Sequence, residues 1–382
     1  MWLRNSLLAI ALSSPVAIFA QGPEVAIDPR AAFKVSFAAD APVALAAADW
    51  GSTKAVARGG ALSLDLHSTL QLKNTSNRRI LGVTLLVTAQ EVTPGGKGSV
   101  AVPSLDIAPG ESFPLRIDLR LMRPLQTVGG GGALVEVTLD GVLFEDLGFY
   151  GPNRLNSRRM MTAWEMEARR DRKHFLAVLE SGGRDGLQKA MLASLARIGE
   201  QPGLAIQALR PGRSTVAGAT KRVEFTFLRL PDAPLDLLAG AANVAGAEAR
   251  DPQIEVQNRT RREVRYLEVG WLLRDQDGSE FAAGSVPAEV NLAPGQKTEF
   301  RKEAALRFSR QGATVPLRID GMTGYLSRVE YSNGEVWVPA RSSLAQPRLA
   351  QTLAPSAEEQ RLAELYRRKG IDAVIQQLRR VH

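Results

Sequence analysis

Segments of the first half of the chain return, in order, in the second. "NTSNRRILGVTLLV" (Asn74 to Val87) lines up with "NRTRREVRYLEVGW" (Asn258 to Trp271). In both, an Asn-x-Ser/Thr corner leads through arginines into alternating apolar positions. Val83, Leu85 and Val87 stand opposite Leu267, Val269 and Trp271. Upstream, "DAPVAL" (Asp40 to Leu45) matches "DAPLDL" (Asp232 to Leu237). Downstream, "LDIAPGESF" (Leu105 to Phe113) matches "VNLAPGQKT" (Val290 to Thr298), and "VLFEDLGFYGP" (Val142 to Pro152) matches "VEYSNGEVWVP" (Val329 to Pro339). Gly183 and Gly370 stand 187 residues apart, as do Pro152 and Pro339. This period is far longer than that of a solenoid. It predicts a tandem duplication in which each copy is a β domain followed by a helical hairpin.

Within each copy the β part reads as short strands with one buried face. "FPLRIDLRLM" (Phe113 to Met122) turns Leu115, Ile117, Leu119 and Leu121 one way and Arg116, Asp118 and Arg120 the other, the period of two expected of a half-buried strand. Asp277-Gly278 and Asn333-Gly334 mark hairpin tips, and Ala108-Pro109-Gly110 and Ala293-Pro294-Gly295 mark tight corners. With 34 glycines, 21 prolines and 6% aromatics, the composition suits many turns. At 382 residues the chain exceeds one ordinary domain. This alternation and turn spacing resembles the bacterial immunoglobulin-like β-sandwich modules of exported proteins. The resemblance implies a mainly β fold with α: two tandem Ig-like sandwiches, each followed by a helical hairpin, with Trp271 as a core tryptophan. The expected boundaries are 31–153 for the first sandwich, 154–200 for its hairpin and 201–220 for a linker. The second sandwich is expected over 221–340, a linker over 341–355 and the second hairpin over 356–382.

The helical parts are amphipathic. Met160, Trp164, Ala168, Phe175 and Leu179 recur near i, i+4 spacing, which turns "EARRDRK" (Glu167 to Lys173) outward, and Ser181-Gly182-Gly183 ends the run. A second helix carries Leu187, Met191 and Leu195. Near the C-terminus, Ser356 with Glu359 three residues on forms a capping box, and Gly370 breaks the helix before Val374 and Leu378.

The N-terminus has a basic Arg4, an apolar run of fourteen residues from Leu7 to Ala20, and small Ala20 at its end. The run is short for a bilayer span, which needs about 20 residues. It reads as a signal peptide over 1–20, which predicts a periplasmic or secreted protein with no membrane-spanning segment once the signal is removed. The absence of cysteine excludes disulfides, thiolate metal sites and cysteine nucleophiles.

Catalytic patterns are sparse. His67, His174 and His382 lack metal-ligand spacing, and neither HExxH nor GxSxG occurs. "PGGKGS" (Pro94 to Ser99) has its lysine before the glycine and reads as a hairpin loop, not a phosphate loop. The run Gly129 to Gly132 reads as a flexible loop. Asp275-Gln276-Asp277-Gly278 starts like a calcium loop, but Val286 stands where its bidentate glutamate belongs. Asn74 and Asn258 each open a glycosylation sequon, yet their shared place in the repeat gives them an equal claim to a turn role. No catalytic residue, metal ligand or cofactor is assigned.

The remaining signal is basic. The net charge is +8, and Arg169, Arg170, Arg172 and Lys173 on one helix and Arg367, Arg368 and Lys369 on another are the candidate contacts for an anionic partner. A solvated helical face accounts for the same residues. No aromatics are interleaved with them, and export argues against nucleic acid too. The expectation is an exported, non-enzymatic interaction or scaffold protein that binds a protein or an anionic envelope polymer. The alternative is a hydrolytic or carbohydrate-active protein with a carboxylate site between the copies.

Overall fold

A computed structural model of the protein describes residues 24–25, 28, 32–125, 133–200, 204–209, 220–301, 305–310 and 317–380. The expected signal segment, Gly129 to Gly132, most of the 201–220 linker and His382 lie outside the described residues.

The chain is mainly β, with helices. The first β region holds β1 (Glu24–Val25), β2 (Phe33–Ser36), β3 (Val43–Asp49), β4 (Lys54–Arg58), β5 (Ala61–Asn74), β6 (Ile80–Thr88), β7 (Lys97–Val102), β8 (Ser112–Pro124), β9 (Val135–Phe144) and β10 (Phe149–Tyr150). Helix α1 (Ser157–Glu200) follows. The second β region holds β11 (Leu204–Leu209), β12 (Lys221–Leu228), β13 (Leu235–Ala245), β14 (Glu248–Asn258), β15 (Val264–Asp275), β16 (Glu280–Leu292), β17 (Lys297–Arg301), β18 (Ala305–Arg310), β19 (Ile319–Tyr331) and β20 (Val336–Trp337). Helices α2 (Arg341–Leu344), α3 (Pro347–Thr352), α4 (Ala357–Lys369) and α5 (Ile371–Arg380) close the chain.

The described residues fall into two compact units. One contains the chain up to Thr75 with Leu85–Val100 and Gly110–Leu139; the other contains Ser76–Thr84, Ala101–Pro109 and the chain from Asp140 onward.

In the first unit β5 is the spine, with β3, β4 and β8 all pairing with it. Its alternation is the cause: Leu64, Leu66, Leu70 and Leu72 are fully buried and stand across from Leu121, Leu119, Leu115 and Phe113 of β8. Cross-strand apolar pairs of this kind stabilise a sheet face. On the other face, His67 Nδ1 lies 2.9 Å from Asp118 Oδ1.

In the second unit one ten-stranded sheet runs β11-β18-β14-β13-β12-β19-β15-β16, with β17 beside β14 and β20 beside β19. The end strands β11 and β16 lie against each other, so the sheet is barrel-like and nearly closed. Two separate sheets were expected here. They are joined because β12 is shared: Lys221–Glu224 pair antiparallel with β13, and Phe225–Leu228 pair parallel with β19. Trp271 is 1% exposed at the centre of the core, with Phe225 edge-on at 4.8 Å.

One pairing order occurs in both β regions. β2 runs parallel to β9 as β12 does to β19. β3-β5-β8 recurs as β13-β14-β17, and β9-β6-β7 as β19-β15-β16. The repeated corner has a physical role. Asn258 is fully buried, and its Nδ2 donates to the carbonyls of Arg262 (2.7 Å), Leu292 (3.1 Å) and Ala293 (3.2 Å). Asn74, also fully buried, accepts at its carbonyl from Gly110 N at 2.9 Å. Neither side chain is exposed to a glycosylating enzyme.

Helix α1 breaks at Gly183 (φ 63, ψ −161), and α4 ends at Gly370 (φ 78, ψ −178), a left-handed φ that costs glycine little. Both limbs of α1 share one core with α4–α5: Phe175 from before the break, Leu187 and Met191 from after it, and Leu362, Val374 and Leu378. Each such side chain contributes about 1.5–3 kcal/mol of transfer free energy, before the entropy of ordering it.

Candidate functional site

The charged stretch of α1 is the most elaborate polar region of the second unit. The sequence pattern turned Glu167–Lys173 outward. In the structure much of it faces inward: Asp171 is 0% exposed, Arg172 8%, and Glu165 just upstream 4%. The reason lies in chain neighbours that periodicity does not reveal. The C-terminal helices bring Glu358 and Glu359, at most 2% exposed, against this side of α1. Buried charges are tolerated only when paired and hydrogen-bonded.

The pairing is thorough. Arg172 Nη2 donates to Glu165 Oε1 at 2.7 Å and Nη1 to Glu358 Oε1 at 3.4 Å. Arg170 forks onto Asp171 with two bonds of 2.9 Å, and its Nη1 donates to the Pro339 carbonyl at 3.1 Å. Arg341 Nη1 donates to Glu359 Oε2 at 2.7 Å and Asp171 Oδ1 at 3.3 Å. Glu359 also accepts from Ser194 Oγ at 2.6 Å and from Arg197. The capping box at Ser356 is half made. Ser356 Oγ accepts from Glu359 N at 3.1 Å, but the Glu359 carboxylate turns to the arginines. Near the start of α1, Arg159 lies 3.6 Å over the Tyr266 ring and donates to Glu289 (2.9 Å) and to buried Glu330.

Two clefts flank this network. The first, of about 710 Å³, has Glu167, Arg170 and His174 of α1 on one wall and the chain from Pro339 to Glu359 on the other, with Tyr325 in its lining. The second, of about 510 Å³, gathers Arg79, Arg169, Arg172, Lys173 and Arg380, against the carboxylates of Asp106, Glu145 and Glu165.

The environments tune two carboxyls of the first cleft in opposite directions. Burial pushes Glu167 above its ordinary 4.5, and the nearby Arg328 and Arg170 offset this only in part. Burial acts the same way on Glu359, but hydrogen bonds from Arg341 and Ser194 and the charges of Arg341 and Arg197 outweigh it and hold it below 4.5. Burial, then the Arg341 charge, lowers the His174 imidazole. Burial also raises the Tyr325 hydroxyl far above its ordinary range, so it stays protonated.

The candidate contacts from sequence therefore separate. Arg169, Arg172 and Lys173 meet at the second cleft, where Arg169 Nε bonds Glu165 at 2.8 Å and Lys173 is exposed with no ion-pair partner among the described residues. Arg170 lines the first cleft. Arg367 and Arg368 are exposed and pair with Glu364 of their own helix, and exposed Lys369 ends it. The sequence reading passed over Arg341, Arg197 and Arg79 as site residues. Arg197 and Arg341 are single arginines outside any cluster, Arg79 belongs to the Arg78-Arg79 pair of the repeated corner, and only the fold places them beside α1. Among the described residues no group of three or more His, Asp or Glu has a metal-holding arrangement.

No protein-family model matches the chain, and no curated protein matches it. Among solved structures it is similar to a β-glucosidase from Kluyveromyces marxianus, with 9% identity, a TM-score of 0.14, and coverage of 69% of this chain and 45% of that one. The glucose complex of that β-glucosidase gives 10% identity, a TM-score of 0.14, and 72% and 46% coverage. A red sea bream transglutaminase gives 9%, 0.11, and 75% and 31%. The chain thus spans less than half the length of each, and at these TM-scores none carries an argument about fold or chemistry.

Proposed function

We propose that the chain is an exported, non-enzymatic interaction protein that binds an anionic partner, a protein or a phosphate-rich envelope polymer. The observation that supports this reading is the meeting of Arg169, Arg172 and Lys173 with Arg79 and Arg380 on one cleft. Five cations against three carboxylates leave a local excess of positive charge, and Lys173 and Arg380 are exposed. Such an excess attracts a polyanion and makes its binding salt-dependent. The apolar run Leu7 to Ala20 supports a periplasmic or secreted location.

The same proposal takes the two β regions as copies of one immunoglobulin-like module, each followed by its helical hairpin. The recurring pairing order supports this. Two features depart from the immunoglobulin pattern: the strands of the second region join in one nearly closed sheet, and β13 and β14, consecutive in sequence, pair directly, whereas the immunoglobulin order sends its second and third strands to different sheets.

The test is binding of the full-length chain to a fluorescent polyphosphate at several salt concentrations. Binding should weaken steeply with salt, and Lys173→Glu with Arg380→Glu should abolish most of it. Unchanged binding in that double variant would overturn the proposal.

A second reading, the hydrolytic or carbohydrate-active protein, draws on Glu167 and Glu359. Both line the first cleft, with carboxyls shifted apart as an acid and its partner base require. Against it, Glu359 already accepts from three donors and has little capacity left for substrate or water. Hydrolysis of envelope glycans that disappears in Glu167→Gln would establish it.

A further inference from the structure

The first cleft has a construction that the ion network alone does not explain. Its two halves differ in chemistry. One half is apolar: Leu344, Leu349 and Leu353 line it with Pro339 and Pro355. Leu349 is fully buried in a cluster with Leu230, Leu272 and Tyr325, so this lining is the outer face of a packed core. The other half carries three guanidinium groups, Arg170, Arg197 and Arg341.

Those guanidiniums are held in place but not used up. Arg341 spends only Nη1 on Glu359 and Asp171, and Arg197 spends only Nη2 on Glu359. Their other N–H groups have no protein partner among the described residues. Buried carboxylates thus fix the orientation of both forks before any ligand arrives, which is the arrangement that makes arginine an effective receiver of carboxylate or phosphate. The Tyr325 hydroxyl is a further polar group. The residue is 8% exposed, lines the cleft, and makes no hydrogen bond among the described residues. Its hydroxyl is free to donate to a polar group bound in the cleft.

The charges themselves are balanced, so the unused donors decide which group the cleft favours. Three arginines face three carboxylates, Glu167, Asp171 and Glu359. Glu167 is the weakly paired one, with Arg328 at 3.6 Å as its nearest cation. One negative group added at the arginine end is matched by two forks with free N–H groups. The volume, about 710 Å³, is that of a small-molecule site.

We propose that this cleft binds a small amphipathic anion: one carboxylate or phosphate head on Arg197 and Arg341, and an aliphatic chain along the half-buried Leu344 and Leu353. The site is separate from the basic cleft assigned to the polyanionic partner, and neither assignment depends on the other.

The experiment uses the full-length chain and an anionic, environment-sensitive fluorophore, anilinonaphthalene sulfonate. The fluorophore should bind saturably at one site and be displaced by dodecanoate and by dodecyl phosphate. Dodecyltrimethylammonium, with the same chain and the opposite charge, should not displace it, nor should inorganic phosphate at the same concentration. Ala350→Trp fills the apolar half without touching the ion network, and should weaken dodecanoate binding about tenfold or more while the melting temperature stays near that of the parent. Arg341→Lys keeps the charge but loses the fork, and should weaken it too. Lys173→Glu with Arg380→Glu should leave it unchanged. Vesicles of phosphatidylglycerol separate the two sources of such a ligand. Sedimentation with vesicles that is lost in Ala350→Trp identifies a membrane lipid, whereas dodecanoate binding without vesicle binding identifies a free amphiphile. Equal displacement by the anionic and cationic amphiphiles, or parental affinity in a folded Ala350→Trp, would overturn the proposal.

Discussion

Two basic stretches, Arg169–Lys173 on α1 and Arg367–Lys369 on α4, read alike in one dimension and meet different fates in three. The first is drawn into a network in which Glu358 and Glu359, from far along the chain, join Glu165 and Asp171 of the same helix; Arg172 and Glu358 are 186 residues apart. The second has Glu364, three and four residues away, and solvent. Helical periodicity places both stretches on polar faces. What divides them is whether another element covers that face and brings acids with it. An arginine-rich face is therefore a surface only until the topology is known.

The sharpest way to break this comparison is to remove Arg172. Its loss leaves Glu358 buried with only Arg361 and Glu165 with only Arg169. Removing one partner of a buried pair costs about 3–5 kcal/mol, so Arg172→Ala should lower the urea midpoint sharply. The triple change Arg172→Met, Glu165→Leu, Glu358→Leu should recover most of that loss, because apolar packing can replace a buried ion cluster. A single variant as stable as the parent would mean that the cluster is not a buried network in solution.

A smaller effect sharpens the comparison through pH. Glu359 is held below its ordinary 4.5, so its contribution to stability is fully present above about 4.5 and is lost as pH falls through the folded value. Glu167 is held above 4.5, so its contribution is fully present below about 4.5 and is lost as pH rises through its folded value. Arg328, Arg170 and Asp171 face it. Urea unfolding followed from well below pH 4.5 to well above it should therefore show Glu359→Gln flattening the acid side of the profile and Glu167→Gln flattening the decline on the other side. Each slope change is bounded by about 1.4 kcal/mol per pH unit. Identical profiles in both variants would remove the assignment of opposite environments.

How much of this was legible in the sequence follows from the same contrast. Local chemistry was readable. The alternation of β5 and β8, the corners at Asn74 and Asn258, the break at Gly183 and the cap at Ser356 all depend on residues close in sequence. The repeat added long-range order without coordinates, since paired segments imply paired strands. Two things were hidden. The sharing of β12 between β13 and β19, which turns an expected pair of sheets into one, is a property of register that no local pattern encodes. The clefts depend on Arg197 and Arg341, single residues that carry no motif, and on Arg79 of the repeated corner, and all three acquire their role only beside Glu359, Asp171 and Glu145.

The smallest effect belongs to the second basic stretch, and it tests the comparison from the other side. Arg367, Arg368 and Lys369 sit in the last turn of α4, where cations favour the helix dipole, and among the described residues the two arginines pair only with Glu364 of the same helix. Water screens such pairs, and side-chain entropy opposes them. Replacing all three by alanine should leave the urea midpoint within measurement error of the parent. Because these residues line neither the basic cleft nor the amphiphile cleft, polyphosphate and dodecanoate should bind the triple variant as they bind the parent. Intact stability with lost polyphosphate binding would move the anionic contact from α1 to α4. It would also restore the reading in which charge density along the sequence, not convergence in space, selects the partner.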